Sequence, residues 1–266
     1  KEAAAGVVIS ASHNPPSDNG FKAYGSDGGQ VVPPKDREII SEVNAVTEIK
    51  RLDFDLGVER GLIKTVGSEI DAKYLHKSVT TFADTRAVRI VYTPLHGVGM
   101  TSVAPALRNL GFQDLHLVAE QTEPDGNFPT VLNGIANPED PQTLTLAIQK
   151  ALEVDADIVL ASDPDADRLG CALPDPDRGW DAPPEDLSLN GNQIGVILCR
   201  YILGQRKKLG SLPQKGVVAK TIVTTDLIAL IARAFGIRVV DNLLIGFKYI
   251  GDVINTLPPE AEFIYG

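Results

Sequence analysis

The stretch "VRIVYTPLHGVGMTSVAPALRNLGFQDLHLV" (88–118) carries the pattern that decides the fold. It begins with a short run rich in Val and Ile, passes through a turn, and continues with apolar residues at helical spacing that end at a glycine. A second apolar run follows, so the pattern predicts strands at 88–94 and 115–120 around a helix at 100–111. Two strands joined by a helix in this way favour parallel pairing.

The same alternation extends over the rest of the chain. Short apolar runs predict five further strands, at 6–12, 156–162, 216–222, 237–243 and 262–266. Apolar residues at helical spacing predict further helices at 141–154, 192–205 and 224–236. Strands that alternate with helices indicate an α/β fold with largely parallel pairing. The order strand, turn, helix, strand recurs at 216–243, which favours two successive domains of similar topology.

Composition restricts the classes of function. The chain has 266 residues and a net charge of −10, from 25 basic and 35 acidic residues. This charge argues against a nucleic acid or an anionic membrane as the main partner, but it is compatible with a local basic pocket for a small phosphorylated substrate. No apolar run reaches the roughly 20 residues of a membrane span. The two cysteines, Cys171 and Cys199, favour a reducing compartment, and we expect a cytoplasmic protein.

Three aspartates at alternate positions, Asp163, Asp165 and Asp167, follow the predicted strand 156–162. Hard divalent cations prefer carboxylate oxygens, and ligands two residues apart can wrap one ion. The spacing excludes an EF-hand, and Asp167 stands where a haloacid-dehalogenase nucleophile site has Thr or Val. The alternative is a solvated Asp/Pro turn. Open α/β sheets bind ligands at the carboxyl ends of strands, which favours a cation site with Arg168 beside it.

A second polar turn, "SHNPP" at 12–16, follows the first predicted strand. Its serine could act as a nucleophile or carry a phosphate; the alternative is a plain turn, since Ser, Asn and Pro are turn residues. A Ser-His-Asp hydrolase is disfavoured because the chain lacks a G-x-S-x-G elbow and because His13 adjoins Ser12, which makes the usual base geometry difficult. Lys22, ten residues after Ser12, is either catalytic or a solvent-facing lysine on a hairpin.

Together these turns resemble the α-D-phosphohexomutase family, the phosphoglucomutases and phosphomannomutases. "SASHNPPSDNGFKAY" (10–24) resembles the active-site loop of that family, and "DPDADR" (163–168) resembles its metal-binding loop. "TPLHGVG" (93–99) and "GFKYIG" (246–251) resemble two further family segments. The resemblance covers essentially the whole chain, in order.

The resemblance implies consecutive α/β/α domains with mixed, largely parallel sheets of the phosphohexomutase type. It implies the C-terminal part of a first domain at 1–72, a second domain at 73–176 and a third domain at 177–266. The third domain would be truncated before the sugar-recognition loop of the family, and the fourth domain would be absent. We therefore expect a central fragment with little or no mutase activity of its own.

The resemblance also implies a reaction in which a phosphate on Ser12 passes to a phosphorylated sugar. A hexose bisphosphate would be the intermediate as hexose 1-phosphate and hexose 6-phosphate, of glucose or mannose, interconvert. The implied roles are catalysis by Ser12, His13, Lys22 and Arg168, substrate binding by Asn14, His96 and Lys248, and Mg²⁺ binding by Ser12, Asp163, Asp165 and Asp167. Lys22 would move the proton, for which its pKa must be depressed, and Mg²⁺ and Arg168 would lower it. Nucleic acids and membranes are not expected as partners, and the oligomeric state is left open.

The chain departs from the family pattern at a few positions. Ser10 stands where Thr is usual, and Pro164 and Ala166 stand where many members have Gly. Three alternative functions stay open: a phosphopentomutase, a Mg²⁺-dependent phosphatase with Asp163 as nucleophile, and a non-catalytic relative that binds phosphosugars.

Overall fold

The computed structural model describes residues 3–78 and 85–266. Within these residues the strands form three sheets that follow one another along the chain. The first is an antiparallel hairpin of β1 (Gly6–Ile9) and β2 (Phe21–Tyr24). The second has five strands: β3 (Ile90–Thr93), β4 (Leu115–Leu117), β5 (Ile158–Ser162), β6 (Leu169–Ala172) and β7 (Ser188–Leu189). The third has three strands: β8 (Gly216–Thr221), β9 (Arg238–Leu243) and β10 (Glu262–Tyr265).

Helices connect most of these strands. They are α1 (Lys35–Ala45), α2 (Phe54–Glu59), α3 (Ser68–Ser78), α4 (Gly99–Asn109), α5 (Thr145–Val154), α6 (Pro184–Leu187), α7 (Gly191–Lys208), α8 (Asp226–Ala234) and α9 (Phe247–Thr256). The start of α7 has a clear local cause, a capping box between Asn190 and Gln193. Each side chain accepts a hydrogen bond from the other residue's backbone N–H, which satisfies two donors that the helix itself leaves free.

The five-stranded sheet brings two strand ends to one edge. Its order is β4-β3-β5-β6-β7, and β3 pairs in parallel with both β4 and β5. Thr93, the last residue of β3, lies opposite Ala161 of β5, so the segments that leave these two strands start side by side. The antiparallel turn from β5 to β6 contains residues 163–168, here called the aspartate loop.

The hydrophobic core of the five-stranded sheet includes residues that lie outside its strands. Apolar residues of α5 pack against the buried Val91 and Val159. Trp180 belongs to the same core, is 5% exposed, and donates a 2.7 Å hydrogen bond from Nε1 to the carbonyl of Ala156. Strand β7 also pairs with β6 although it lies beyond residue 176, where we expected the second domain to end. We therefore propose that the boundary of this domain lies near residue 190.

The three-stranded sheet is parallel throughout, in the order β10-β8-β9. Its central strand β8 is buried over five of its six residues, as expected for a parallel strand covered on both faces. Helices α7 and α8 pack on it through Leu203, Cys199 and Ile228. Among the described residues, we find no helix with the combined length and hydrophobicity that a membrane span requires.

The predicted fold class, α/β with mixed and largely parallel sheets, is confirmed. All the predicted strands are present, but several are shorter than the apolar runs that predicted them; the run at 115–120 ends as a strand at Leu117 and continues as a 3₁₀ turn. The sequence pattern did not predict β2, β6 and β7. Their residues, Phe-Lys-Ala-Tyr in β2, Leu-Gly-Cys-Ala in β6 and Ser-Leu in β7, do not form the runs rich in Val and Ile that identify the other strands.

Candidate active site

The site lies where the turn between β1 and β2 meets the aspartate loop. We call residues 10–14 the serine turn. Gly20 allows the hairpin to close tightly, since a Cβ there would lie 1.8 Å from the carbonyl oxygen of Ser10, whose own N–H donates to the Gly20 carbonyl at 3.2 Å. Ser12 has a φ of 55°, the left-handed region that costs a non-glycine residue about 1–2 kcal/mol. The surrounding contacts must offset this cost.

Ser12 connects the two loops. Its Oγ donates a 2.7 Å hydrogen bond to Oδ2 of Asp163 and lies 3.1 Å from Nδ1 of His13. This contact uses Nδ1, whereas the base of a Ser-His-Asp hydrolase contacts its serine through Nε2, so it does not contradict our expectation that adjacency makes the usual base geometry difficult. Burial and the positive charge of Arg168 lower the pKa of His13, which favours a neutral ring.

Asp163 organises the aspartate loop. Its carboxylate is fully buried, and Oδ1 accepts 3.0 Å hydrogen bonds from the backbone N–H groups of Asp167 and Arg168. Ala166 has a φ of 57°, so the loop turns sharply between these contacts. Burial and the neighbouring Asp165 raise the pKa of Asp163 to about 6.

The three aspartates form a cluster that suits a divalent cation. One oxygen from each of Asp163, Asp165 and Asp167 lies within 4.8 Å of the other two. Oδ2 of Asp165 accepts from Ser10 and Lys22, whereas its Oδ1 is buried and has no hydrogen-bond partner among the described residues. A buried carboxylate oxygen without a partner is costly, and a hard cation with oxygen ligands would satisfy it. The donor set therefore fits Mg²⁺.

Lys22 lies across the pair β1–β2 from Val8 and reaches the same cluster. Its Nζ lies 3.0 Å from Asp165 and 3.4 Å from Asp167. Burial by itself would lower the pKa of Lys22, but the hydrogen bonds and charges of the two carboxylates outweigh it, and the pKa is raised. The depressed pKa that we expected for Lys22 depends on an adjacent Mg²⁺ as well as on Arg168, and it stays a prediction.

Arg168 and Asn14 lie at the exposed rim of the site. Among the described residues, neither side chain has a hydrogen bond or an ion pair. The effect of Arg168 on the pKa of His13 indicates that its positive charge is felt at the serine turn. Both side chains are therefore available to a ligand.

His96 has a different environment. It is 5% exposed, and its ring nitrogens contact the carbonyl of Glu123 at 3.2 Å and Oγ1 of Thr130 at 2.8 Å. Because both nitrogens have protein partners, this geometry favours a structural role over the predicted contact with substrate. The turn that contains His96 still supports the site: Val98 donates its N–H to the carbonyl of Pro164 at 2.9 Å.

Lys248 lies at the start of α9. Within the part of the chain that the structure describes, it has no hydrogen bond or ion pair with the three aspartates. Its Nζ lies 3.7 Å from Asp36 of α1 and 5.1 Å from the centre of the Tyr249 ring. Together with Phe21 of the hairpin it lines an apolar cavity of about 470 Å³. The structure therefore does not bring this residue together with the other predicted site residues.

Comparison with known families adds an independent finding. Models for the α/β/α domains of phosphoglucomutase/phosphomannomutase match the chain in order: domain I over residues 1–50, domain II over 72–177 and domain III over 190–263. The chain belongs to the phosphoglucomutase/phosphomannomutase family.

Individual members of the phosphoglucomutase/phosphomannomutase family are similar over nearly the whole chain. A phosphoglucomutase of Staphylococcus saprophyticus is 37% identical over 255 residues, which cover 94% of this chain and 44% of that protein. A probable phosphomannomutase of Haemophilus influenzae is 35% identical, over 95% of this chain and 50% of its own length. A crystal structure of a protein from Thermus thermophilus has a TM-score of 0.70 at 21% identity, covers 99% of this chain and 54% of its own, and supports the fold. The chain thus spans about half the length of these relatives.

One residue of this candidate site was not predicted from the sequence. Ser10 appeared in the sequence only as a departure from the family pattern, yet its hydroxyl contacts both loops. The available signal was its position, two residues before Ser12 and inside the predicted strand 6–12. Only the approach of the aspartate loop shows what the hydroxyl contacts.

Proposed function

We propose that this chain carries the phosphoryl-transfer site of a phosphohexomutase that interconverts hexose 1-phosphate and hexose 6-phosphate, with glucose or mannose as the sugar. The observation that carries the proposal is the 2.7 Å hydrogen bond between Ser12 Oγ and the buried Asp163. A nucleophilic oxygen thus lies beside carboxylates suited to a divalent cation. Relatives named as phosphoglucomutase and phosphomannomutase support the assignment of the sugar phosphates.

In the proposed cycle, Ser12 carries the phosphoryl group as a phosphate ester. A hydroxyl oxygen of a hexose phosphate attacks the phosphorus, a new P–O bond to the sugar forms, and the P–Oγ bond to Ser12 breaks. Lys22 takes the proton of the attacking hydroxyl, and a proton returns to Oγ of Ser12. The resulting hexose bisphosphate then gives its other phosphate to Ser12 by the same bond changes in reverse.

The charge of the transferred group needs cations around it. Mg²⁺ held by Asp163, Asp165, Asp167 and an oxygen of the Ser12 phosphate would supply positive charge against the phosphoryl oxygens. The exposed guanidinium of Arg168 can add a fork of donors to the same group, and Asn14 and His13 can bond its oxygens.

Lys22 must lose its proton before it can accept one from the sugar. Asp165 and Asp167, which raise its pKa, are also the proposed ligands of the cation. A cation on these carboxylates neutralises the charges that cause the increase, so the proposed metal site also favours the neutral amine.

The phosphate on Ser12 is the decisive test. The chain is incubated with glucose 1,6-bisphosphate and Mg²⁺, and intact mass and peptide mapping locate any phosphate. We expect a phosphate-sized increment on the Ser12 peptide that is absent in Ser12→Ala and is lost on addition of a hexose monophosphate. A chain that never acquires phosphate at Ser12 would overturn the proposal.

The same experiment separates the alternatives. A phosphatase with Asp163 as nucleophile would be trapped as an aspartyl phosphate, and Ser12→Ala would remain active. Both carboxylate oxygens of Asp163 already accept hydrogen bonds in its buried position, which disfavours that mechanism. A binding-only relative would carry no phosphate, and removal of the phosphate by pentose phosphates instead of hexose phosphates would indicate a phosphopentomutase.

Little or no mutase turnover by this chain alone remains our prediction, because the exchange at Ser12 described above is a slow single transfer and not repeated turnover. The cytoplasmic location also remains a prediction. Conversion of glucose 1-phosphate to glucose 6-phosphate by the 266-residue chain would contradict the first of these.

A further inference from the structure

Ser10 joins the serine turn to the aspartate loop through one hydroxyl group. Its Oγ donates a 2.9 Å hydrogen bond to Oδ2 of Asp165 and accepts a 2.9 Å hydrogen bond from the backbone N–H of Ser12. A serine hydroxyl has a single proton to donate, and here that proton is committed to Asp165. One atom therefore links two segments that lie 155 positions apart in the sequence.

The contact determines how the Asp165 carboxylate is turned. Oδ2 accepts from both Ser10 and Lys22, which leaves Oδ1 as the buried oxygen without a protein partner among the described residues. The Lys22 contact alone is a weak restraint, because the lysine side chain is long, flexible and 28% exposed. The hydroxyl of Ser10 belongs to a short side chain directly after β1 and is the more rigid restraint.

The same hydroxyl restrains the backbone of Ser12. This residue holds a left-handed conformation that is unfavourable for a side chain with a Cβ. Its N–H is directed to Oγ of Ser10, so loss of that oxygen removes one of the contacts that keep the turn in place. Both the proposed phosphate acceptor and a proposed cation ligand thus depend on one neighbouring side chain.

We infer that Ser10 is a positioning residue that sets the orientation of Asp165 for a divalent cation and couples it to the backbone of Ser12. The inference rests on the proposed function, because it concerns the same cation site. Ser10 itself is not a ligand in this inference: its proton points to the carboxylate, and its oxygen receives the N–H of Ser12. Groups that orient metal ligands in this way typically change metal affinity by about 10–100-fold when they are removed.

The test is direct binding of Mn²⁺ to the whole chain, measured by electron paramagnetic resonance and by titration calorimetry, with no turnover involved. We expect Ser10→Ala to bind Mn²⁺ at least about ten-fold more weakly than the wild type. Ser10→Thr keeps the hydroxyl, so its affinity for Mn²⁺ should stay within about three-fold of the wild-type affinity, a clearly smaller change than in Ser10→Ala. Ser17→Ala is the matched control, because Ser17 is exposed on the same hairpin turn and makes no hydrogen bond to the described residues.

The outcomes separate the inference from the proposed function. If Ser10→Ala binds Mn²⁺ as tightly as the wild type while Asp165→Asn does not bind, the inference is wrong and the cation site stands. If the wild-type chain binds no Mn²⁺, the metal site of the proposed function is wrong and the inference with it. Should Ser10→Ala fail to fold by circular dichroism, Ser10→Cys replaces it, since a thiol is similar in size but a weak donor; wild-type affinity in that variant would equally refute the inference.

Discussion

The most demanding prediction concerns Thr93, at the end of β3. Thr93 is fully buried; its Oγ1 donates a 2.6 Å hydrogen bond to Oε1 of Gln121 and accepts a 3.0 Å hydrogen bond from the N–H of Leu95. Thr93→Val is nearly isosteric, so it creates no cavity but leaves two buried polar groups without a partner. Each such group costs about 1–3 kcal/mol, which predicts a loss of about 2–6 kcal/mol in the free energy of unfolding.

We expect a value in the lower half of that range, about 3 kcal/mol, because the amide of Gln121 keeps its 2.9 Å hydrogen bond to Thr130 and can adjust. Thr93→Ser provides the contrast. It deletes one methyl group, worth about 1 kcal/mol, but keeps both hydrogen bonds. The structure therefore predicts that the smaller serine is better tolerated than the better-packed valine.

The assay uses urea unfolding followed by fluorescence. Trp180 is the only tryptophan of the chain and lies in the core of the same five-stranded sheet, so its emission reports on the unfolding of that sheet. The dependence of the free energy on urea should stay the same in both variants, which confirms that only stability has changed. A loss of stability in Thr93→Ser that equals or exceeds the loss in Thr93→Val would contradict this prediction.

Three further predictions concern the aspartate loop and the thiols. Gly97→Ala should weaken Mn²⁺ binding, because its Cβ would lie 2.3 Å from Cα of Pro164 and would push the loop away; Gly67→Ala, at an open position, is the control, and equal affinities would contradict the prediction. Ala166→Gly should stabilise the same urea transition by up to about 1 kcal/mol, since it relieves a left-handed alanine, and a clear loss would count against this view. The two buried cysteines have a pKa raised to about 11 by burial, so they should resist Ellman's reagent at pH 8 until the chain unfolds; fast labelling of the native chain would disprove this.

Much of the fold could be predicted because its central strands are buried on both faces. Strands β3, β5 and β8 are short runs rich in Val, Ile and Ala, and such composition identifies a parallel strand without knowledge of its neighbours. Strands β2 and β6 could not be predicted in this way. They are held by pairing with β1 and β5, and their own residues carry no apolar period long enough to recognise.

In the site, too, the sequence predicted some features and not others. Ser12 and the three aspartates stand in two compact motifs, so their chemistry and spacing could be recognised from the sequence. His96 stands in a motif of similar character, but the structure surrounds its ring with Glu123 and Thr130, which a sequence motif cannot reveal. A sequence motif shows which side chains are present. Their hydrogen-bond partners belong to segments that lie far away along the chain.

The sequence by itself determined the alternation of strands and helices, the acidic loop after β5 and the serine turn after β1, because these are local properties of composition and spacing. The tertiary structure alone decided how the two loops meet: that Ser10 bonds Asp165, that Lys22 reaches Asp165 and Asp167, and that one oxygen of Asp165 is left without a partner among the described residues. It also decided the direction of the Lys22 pKa shift, since that depends on charges brought close from 143 and 145 positions away. Hydrogen bonding and electrostatics act through distances in space, and only the packed fold sets those distances.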